Sequence, residues 1–127
     1  MAAIKGKNTK PEMLVRKFLR AYAYRYRLHD KKLPGKPDIV LPKYKTVIFV
    51  HGCFWHGHAG CRYFVVPKTR TDWWLEKIST NKRRDMEKLR QLKLYNWQIL
   101  TIFECQLKPK QIDRTLNKLF KKLNISE

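Results

Sequence analysis

A short segment rich in cysteine and histidine constrains the fold of this chain more than any other feature. Cys53, His58 and Cys61 follow directly after the apolar, β-branched run 46–50. Structural zinc sites are closed tetrahedra of four Cys and His ligands, so these three residues need a fourth. Cys105 is the remaining cysteine, and the sequence therefore predicts a structural zinc bound by Cys53, His58, Cys61 and Cys105. The alternative is that the cysteines are small buried hydrophobic residues.

The composition limits the class of protein. A chain of 127 residues fits one domain, 1–127, with a core of its own. No apolar run approaches the length of a transmembrane helix, and the polar start does not have the form of a signal peptide. Three cysteines suit a reduced, cytoplasmic protein with metal-bound thiolates better than a disulfide framework. We therefore expect a cytoplasmic protein that does not bind a membrane.

The charge of the chain indicates a polyanionic partner. There are 29 Lys and Arg against 10 Asp and Glu, which gives a formal net charge of +19 distributed along the whole chain. Nucleic acid is the partner that such a charge favours. A structural protein of the ribosomal type and a basic membrane-surface protein are the alternatives.

Hydrophobic periodicity predicts the element order α-β-β-β-α-β-α. Thr9 and Glu12 have the form of a capping box with Pro11 in the first turn, which predicts that a helix begins at Lys10. The predicted helices cover 10–22, 71–94 and 108–123, and the predicted strands cover 24–29, 38–41, 46–50 and 97–103. This order favours an α/β fold, a small mixed sheet with helices on both sides.

Several side chains in this frame could carry chemistry. Asp38 enters one strand just before the next, a position from which a carboxylate can bind Mg²⁺, although Asp beside a Pro-Gly turn is more often a turn residue. His51 and His56 are not needed for the zinc site, so each is either a general base or a packing residue. Phe54 and Trp55 lie in the loop between the zinc ligands, where an aromatic side chain is presented more easily than buried.

Four ordered segments carry a family resemblance: 8–12 (NTKPE), 33–38 (LPGKPD), 47–56 (VIFVHGCFWH) and 74–78 (WLEKI). The pattern continues at Asn81, Arg84, Asp85, Trp97, Glu104 and Cys105. From its start to Cys105 the chain resembles the very short patch repair, or Vsr-type, DNA mismatch endonucleases.

The resemblance implies a restriction-endonuclease-like fold, a variant of the PD-(D/E)xK core. It also implies a strand-specific nick 5′ to the thymine of a T·G mismatch, the lesion that deamination of 5-methylcytosine leaves. Asp38 and the backbone carbonyl of Val50 would bind the catalytic Mg²⁺. His56 would be the general base, with Glu12 assisting and His51 near the scissile phosphate. The aromatics that insert beside the mismatch would be Phe54, Trp55 and Trp74.

Two departures from the family pattern qualify this expectation. The second Glu/Asp-x-Lys element is absent, because Phe49-Val50-His51 stands in its place, so no catalytic lysine is assigned. Relatives carry a longer N-terminal arm that reaches the DNA, whereas this sequence starts a few residues before the first helix. Either binding to the duplex is weaker here, or the arm has been trimmed.

Two other functions fit the same residues. One is a sequence-specific, restriction-type nuclease that acts on matched DNA, and the other is a catalytically silent, zinc-stabilised DNA-binding module. The joint presence of Glu12, Asp38, His51 and His56 favours an enzyme. An asymmetric nick predicts a monomer, and the resemblance implies mismatch-repair proteins as partners besides double-stranded DNA.

Overall fold

The fold is a four-stranded mixed sheet between helices. A computed structural model of the chain describes residues 9–54 and 56–125. The helices are α1 (Lys10–Ala21), α2 (Thr71–Leu94) and α3 (Ile112–Ile125), and the strands are β1 (Arg27–Leu28), β2 (Ile39–Leu41), β3 (Thr46–His51) and β4 (Gln98–Phe103). Short 3₁₀ turns cover Pro42–Tyr44 and Glu104–Leu107. The predicted α/β class and element order are confirmed.

The strands lie in the order β1-β2-β3-β4. β1 with β2 and β2 with β3 are antiparallel, whereas β3 and β4 are parallel, with His51 opposite Phe103. The carboxyl ends of two parallel strands meet at the same edge of a sheet. The loop that follows His51 therefore lies beside the turn that contains Cys105, although more than 40 residues separate them in the sequence.

Each face of the sheet is covered by helices. On one face, α1 and α3 pack over the larger core; on the other, α2 covers a smaller cluster around Val40, Val47, Phe49 and Leu92. The larger core includes Val15, Leu19, Ile39, Leu41, Ile48, Leu100, Ile102, Leu119 and Leu123. The central strand β3 has buried residues on both faces, as its β-branched run predicts. The site described below is therefore anchored to the most buried part of the sheet.

The first helix is fixed by its cap. Thr9 has extended backbone angles, and its hydroxyl accepts a hydrogen bond from the backbone N–H of Glu12 at 3.4 Å. Val15 and Leu19, four residues apart, are fully buried on the sheet side. Glu12 shares that inward face and is only 1% exposed, an unusual place for a carboxylate. The cap thus sets the rotation of α1 that points Glu12 into the protein.

Three sequence-based expectations differ from the structure. The first strand is only two residues long, because only Arg27 and Leu28 pair with β2 and the left-handed backbone of His29 (φ 48°) ends the strand. The last helix begins at Ile112, after a turn closed by backbone bonds to Lys108. The helical spacing of Trp74, Ile78, Met86, Leu89 and Leu92 predicts one apolar face on α2, but Met86 is 70% exposed.

Among the helices within the described ranges, none combines the length and apolar character needed to cross a bilayer.

Candidate active site and metal centre

The four predicted zinc ligands come together at the shared end of β3 and β4. One ligand atom from each of Cys53, His58, Cys61 and Cys105 lies within 4.8 Å of the others. The Sγ of Cys105 is 3.4 Å from Nδ1 of His58. In tetrahedral zinc, with bonds of about 2.3 Å to sulfur and 2.0 Å to nitrogen, these two atoms are about 3.5 Å apart. The donor set and its spacing therefore fit zinc, and the histidine in the cluster is His58.

Neighbouring groups hold these four side chains in place. The ring of His58 stacks on Phe103, with centroids 3.9 Å apart and planes 2° from parallel. The backbone N–H of Tyr63 donates to Cys61 Sγ at 3.4 Å, an outer contact of the kind that orients thiolate ligands. Burial raises the pKa of the Cys53 thiol to about 12. A metal ion that binds there must displace this proton, so we expect metal binding to weaken as pH falls.

A second group of polar side chains lines a cleft on the other side of β3. The predicted residues Glu12, Asp38, Val50, His51 and His56 all line it, and the structure thus brings the expected set together. The cleft has a volume of about 480 Å³. Its other walls are formed by Thr9, Pro11, Gly35, Lys36, Phe49, Gly52, Asp85, Lys88 and Glu104.

Asp38 is a half-buried carboxylate directly before β2. One of its oxygens, Oδ2, accepts a hydrogen bond from the backbone N–H of Val50 at 2.7 Å, which ties it to β3. Burial raises the pKa of Asp38 to about 6, against the lowering effect of that hydrogen bond. A carboxylate that is costly to ionise here gains more from a nearby cation than an exposed one does. Its environment therefore suits a hard divalent ion.

This raised pKa predicts how stability depends on pH. Because the pKa in the folded state exceeds the unfolded value of about 3.9, the folded state binds more protons, and stability falls as pH rises from about 4 to 6. Asp38→Asn, which removes the charge, is expected to raise the free energy of unfolding above pH 6 by about 1–3 kcal/mol. Urea unfolding at pH 5 and 7.5, with zinc retained and no added Mg²⁺, measures this difference.

The matched control for Asp38→Asn is Glu76→Gln, which removes an exposed carboxylate in the second turn of α2. Its unfolding free energy should follow that of the unmodified protein at both pH values. An equal response of the two variants to pH would contradict the assignment of a raised pKa to Asp38.

Glu12 makes two contacts that the sequence did not predict. Its carboxylate lies 3.1 Å from Nη1 of Arg16, one helical turn away, and 3.0 Å from Nε2 of His29. His29 directly follows β1, and its own backbone N–H donates to the carbonyl of Asp38. One ligand atom of each of Glu12, His29 and Asp38 lies within 4.8 Å of the others. The cleft thus contains a carboxylate pair with a histidine beside it.

His56 is held by an aspartate of α2. Its Nδ1 is 2.6 Å from Oδ2 of Asp85, and its ring stacks on His51 with centroids 3.7 Å apart. Burial opposes ionisation of Asp85, but the hydrogen bond from His56 outweighs it with other nearby charges, and the pKa of Asp85 is lowered. An ionised Asp85 accepts the proton of Nδ1, which leaves the lone pair of His56 on Nε2. This is the tautomer that a general base needs.

His51 differs from its stacked neighbour. Burial, followed by the proximity of His56, lowers the pKa of His51 to about 4. His51 is therefore neutral at physiological pH.

A close approach between loop and helix creates the pair of His56 and Asp85. Gly57 has φ +58°, and a β-carbon there would lie 2.7 Å from Cγ2 of Ile78 and 2.6 Å from Cε of Lys82. Only glycine fits both the backbone angle and the space. The loop after Cys53 therefore packs closely on α2. Because this loop carries both His58 of the zinc cluster and His56 of the cleft, it connects the two sites.

The aromatic residues of the loop partly pack on one another. Phe54 meets the rings of Trp74 and Phe64 edge to face, with centroids 5.4 and 6.4 Å apart, and Trp74 also meets Trp73. Both Phe54 and Trp74 remain partly exposed. Trp55, also predicted to insert into DNA, lies outside the described residues.

Sequence reasoning assigned no role to Asp85 or His29. Asp85 stands among basic residues of α2, 29 positions after His56, and its place in the motif pattern was the only signal for it. His29 ends a short strand that was predicted to be longer, so its proximity to Glu12 depends on the left-handed turn there.

A cleft with carboxylates and a histidine–aspartate pair, on a strongly basic α/β chain, fits the class of DNA endonucleases. Comparison with known proteins agrees. The family described as DNA mismatch endonuclease Vsr matches residues 1–62. The chain is 41% identical over 111 residues to the DNA mismatch endonuclease Vsr of Escherichia coli K12, covering 87% of this chain and 70% of that protein. The chain belongs to the Vsr family of DNA mismatch endonucleases.

Other relatives have names that describe nicking enzymes. The chain is 50% identical over 124 residues to the type II nicking enzyme V.NmeAIP of Neisseria meningitidis, covering 97% of this chain and 88% of that protein. It is 49% identical over 107 residues to the type II nicking enzyme V.XorIIP of Xanthomonas oryzae, covering 84% and 78%. DNA endonuclease activity is thus the general function of the group.

Proposed function

We propose that this protein is a Mg²⁺-dependent, zinc-stabilised endonuclease that nicks one strand of DNA 5′ to the thymine of a T·G mismatch. The observation that carries the proposal is the His56–Asp85 pair, which shares one cleft with Asp38. A pure DNA-binding module has no need of an oriented base in the same cleft as a half-buried carboxylate. The arrangement of helices around a mixed sheet supports a restriction-endonuclease-like core.

The residues of the cleft have separate tasks in this proposal. Asp38 and the carbonyl of Val50 offer hard oxygen ligands for Mg²⁺, which when bound would stabilise the negative charge that develops on the phosphate. His56 takes a proton from the attacking water at Nε2, and Asp85 stabilises the imidazolium that results. Glu12, fixed by Arg16 and His29, assists from α1 as a hydrogen-bond acceptor.

The zinc cluster supports the same chemistry from outside the cleft. Cys53 and His58 lie on either side of His56 in the sequence, so a metal that fixes both also fixes the loop that carries the base. The predicted role of zinc is therefore structural. A monomer fits a nick in one strand, and contact with mismatch-repair proteins would follow from the proposed pathway.

One panel of substrates tests this function against its alternatives. Duplexes with every single mismatch, each in varied flanking sequence, are incubated with Mg²⁺ or without it, and the nicked strand is mapped. Nicking only at T·G, 5′ to the thymine and only with Mg²⁺, is the expected result. Cleavage of a matched recognition site would favour a restriction-type nuclease. Binding without cleavage at any site would favour the silent module.

The aromatic residues give a separate prediction about discrimination. Seating Phe54, Trp55 and Trp74 requires a base step to unstack, and this costs less at a T·G wobble than at a matched pair. Trp74→Ala is therefore expected to lower the ratio of mismatched to matched binding several-fold, with little change in salt dependence. The +19 charge supplies affinity that depends on salt but hardly on sequence. Binding titrations on both duplexes at several salt concentrations measure both quantities.

Leu75→Ala is the matched control for Trp74→Ala. Leu75 is the next residue on α2, is 47% exposed and has no proposed contact with the mismatch. Its removal should leave the ratio unchanged. If Trp74→Ala weakened binding to both duplexes equally, Trp74 would be a packing residue and the insertion hypothesis would be wrong.

A further inference from the structure

The cleft lacks a lysine from the sheet. β3 contributes Phe49, Val50 and His51 to the cleft, and none of these is a lysine or an arginine. A phosphodiester that is attacked by water gains negative charge, and fixed positive charge nearby is one of the largest sources of rate enhancement. Any side-chain cation for the phosphate must therefore come from another element. Two lysines line the cleft, Lys36 and Lys88.

Lys88 lies on α2 one turn after Asp85 and is half-buried. Its aliphatic stem lies against the turn before β2: a β-carbon at Gly35 would be 3.0 Å from Cβ, 3.2 Å from Cγ and 3.1 Å from Cδ of Lys88. Gly35 has φ +79°, so the backbone there also requires glycine. The Lys88 stem thus packs directly on Gly35, and a larger residue at position 35 would displace it.

The ammonium group of Lys88 acts on the chemical groups of the cleft. Its charge contributes to the lowered pKa of Asp85, after the larger effects of burial, which opposes it, and of His56 and His51. Within the described ranges, no carboxylate forms an ion pair with Lys88. A cation that reaches the cleft and is not neutralised by an ion pair is suited to bind a phosphate.

Lys36 is the weaker candidate of the two. It is exposed, and it occupies the left-handed turn before Pro37 with φ 47°. An exposed lysine contributes more to general DNA affinity than to a particular phosphate. The assignment therefore falls on Lys88.

We propose that Lys88 contacts the scissile phosphate and supplies from α2 the positive charge that no lysine of β3 supplies. This inference rests on the proposed nicking function. Lys88 is in that case a substrate-binding residue of the reaction. It lies on the same helix as Asp85, so the residue that orients the general base and the residue that binds the phosphate belong to one rigid element.

The direct test replaces the charge and keeps the stem. Lys88→Met preserves the packing on Gly35 and should slow single-turnover nicking of saturating T·G DNA by about 10²-fold, the scale of removing one charge-stabilising donor. Lys88→Arg should recover part of the rate, since it restores a cation at the same place. Lys93→Met, which removes an exposed lysine from the same helix, is the control and should nick at the normal rate. Zinc content and melting temperature establish that each variant is folded.

A second measurement distinguishes contact from a general effect of charge. A T·G duplex with an uncharged methylphosphonate at the scissile position is compared in binding with the normal duplex, for the unmodified protein and for Lys88→Met. If Lys88 contacts that phosphate, the modification weakens binding to the unmodified protein but hardly affects Lys88→Met. If the methylphosphonate weakened binding to the unmodified protein and to Lys88→Met by the same factor, the assignment of Lys88 alone would be overturned. Nicking by Lys88→Met within about 3-fold of the normal rate would have the same consequence. Failure of the unmodified protein to nick T·G DNA would contradict the proposed function together with this assignment.

Discussion

His56→Ala is expected to slow single-turnover nicking of a T·G duplex by about 10²- to 10⁴-fold while zinc content and DNA affinity stay normal. The reason is the hydrogen bond of 2.6 Å to Asp85, which fixes the imidazole in the tautomer that accepts a proton on Nε2. His56 is not one of the four grouped zinc ligands, so its removal leaves that cluster intact. Rapid-quench measurements with saturating enzyme separate the chemical step from binding.

Two further variants test whether the loss of nicking is specific to His56. Asp85→Asn keeps a group of the same shape beside His56 but removes its charge, so its rate should lie between those of the unmodified protein and His56→Ala. His51→Ala removes the stacked neighbour, which is neutral, and should slow nicking less than His56→Ala does. Near-normal nicking by His56→Ala would show that the base has been misassigned, and His51 would become the candidate.

Cys105→Ser is expected to lose the bound zinc and to lower the melting temperature by at least about 10 °C, or to yield insoluble protein. Cys105 is the only ligand of the cluster that lies after β4, so it closes the connection between the two parallel strands. Without it, the irregular residues between β3 and α2 lose their anchor. Elemental analysis and thermal unfolding of the purified variant measure the two effects.

Lys108→Ser is the matched control for Cys105→Ser. It changes an exposed residue three positions further along, just after the same 3₁₀ turn, and should keep both zinc and stability. A protein that contains no zinc after careful purification, or a Cys105→Ser variant as stable as this control, would contradict the zinc assignment.

The sequence predicted best where one strong local signal determines the structure. α2 begins and ends where its periodicity indicated, at Thr71 and Leu94, because a long basic helix has no competing pattern within it. The run that forms β3 has many β-branched residues, and burial on both faces explains why it is apolar throughout. The four metal ligands could be grouped from the sequence because they include every cysteine in the chain.

Contacts set by tertiary packing could not be predicted in the same way. The pairing of His56 with Asp85 requires Gly57 to approach α2 closely, which no local pattern reveals. The contact of His29 with Glu12 depends on a strand that is shorter than its alternation suggested, and on the rotation of α1. Met86 had the spacing of a buried residue, but α2 covers only part of the sheet and leaves Met86 exposed.

One measurement tests the central claim most directly. Two duplexes that differ in a single base, one with T·G and the other with C·G at the same position, are labelled on both strands and incubated with Mg²⁺ and an excess of the unmodified protein. We expect one nick, immediately 5′ to the thymine, in the T·G duplex and an uncut C·G duplex. Equal cleavage of both duplexes, cleavage of the strand that carries the guanine, or no cleavage of either duplex would contradict the account.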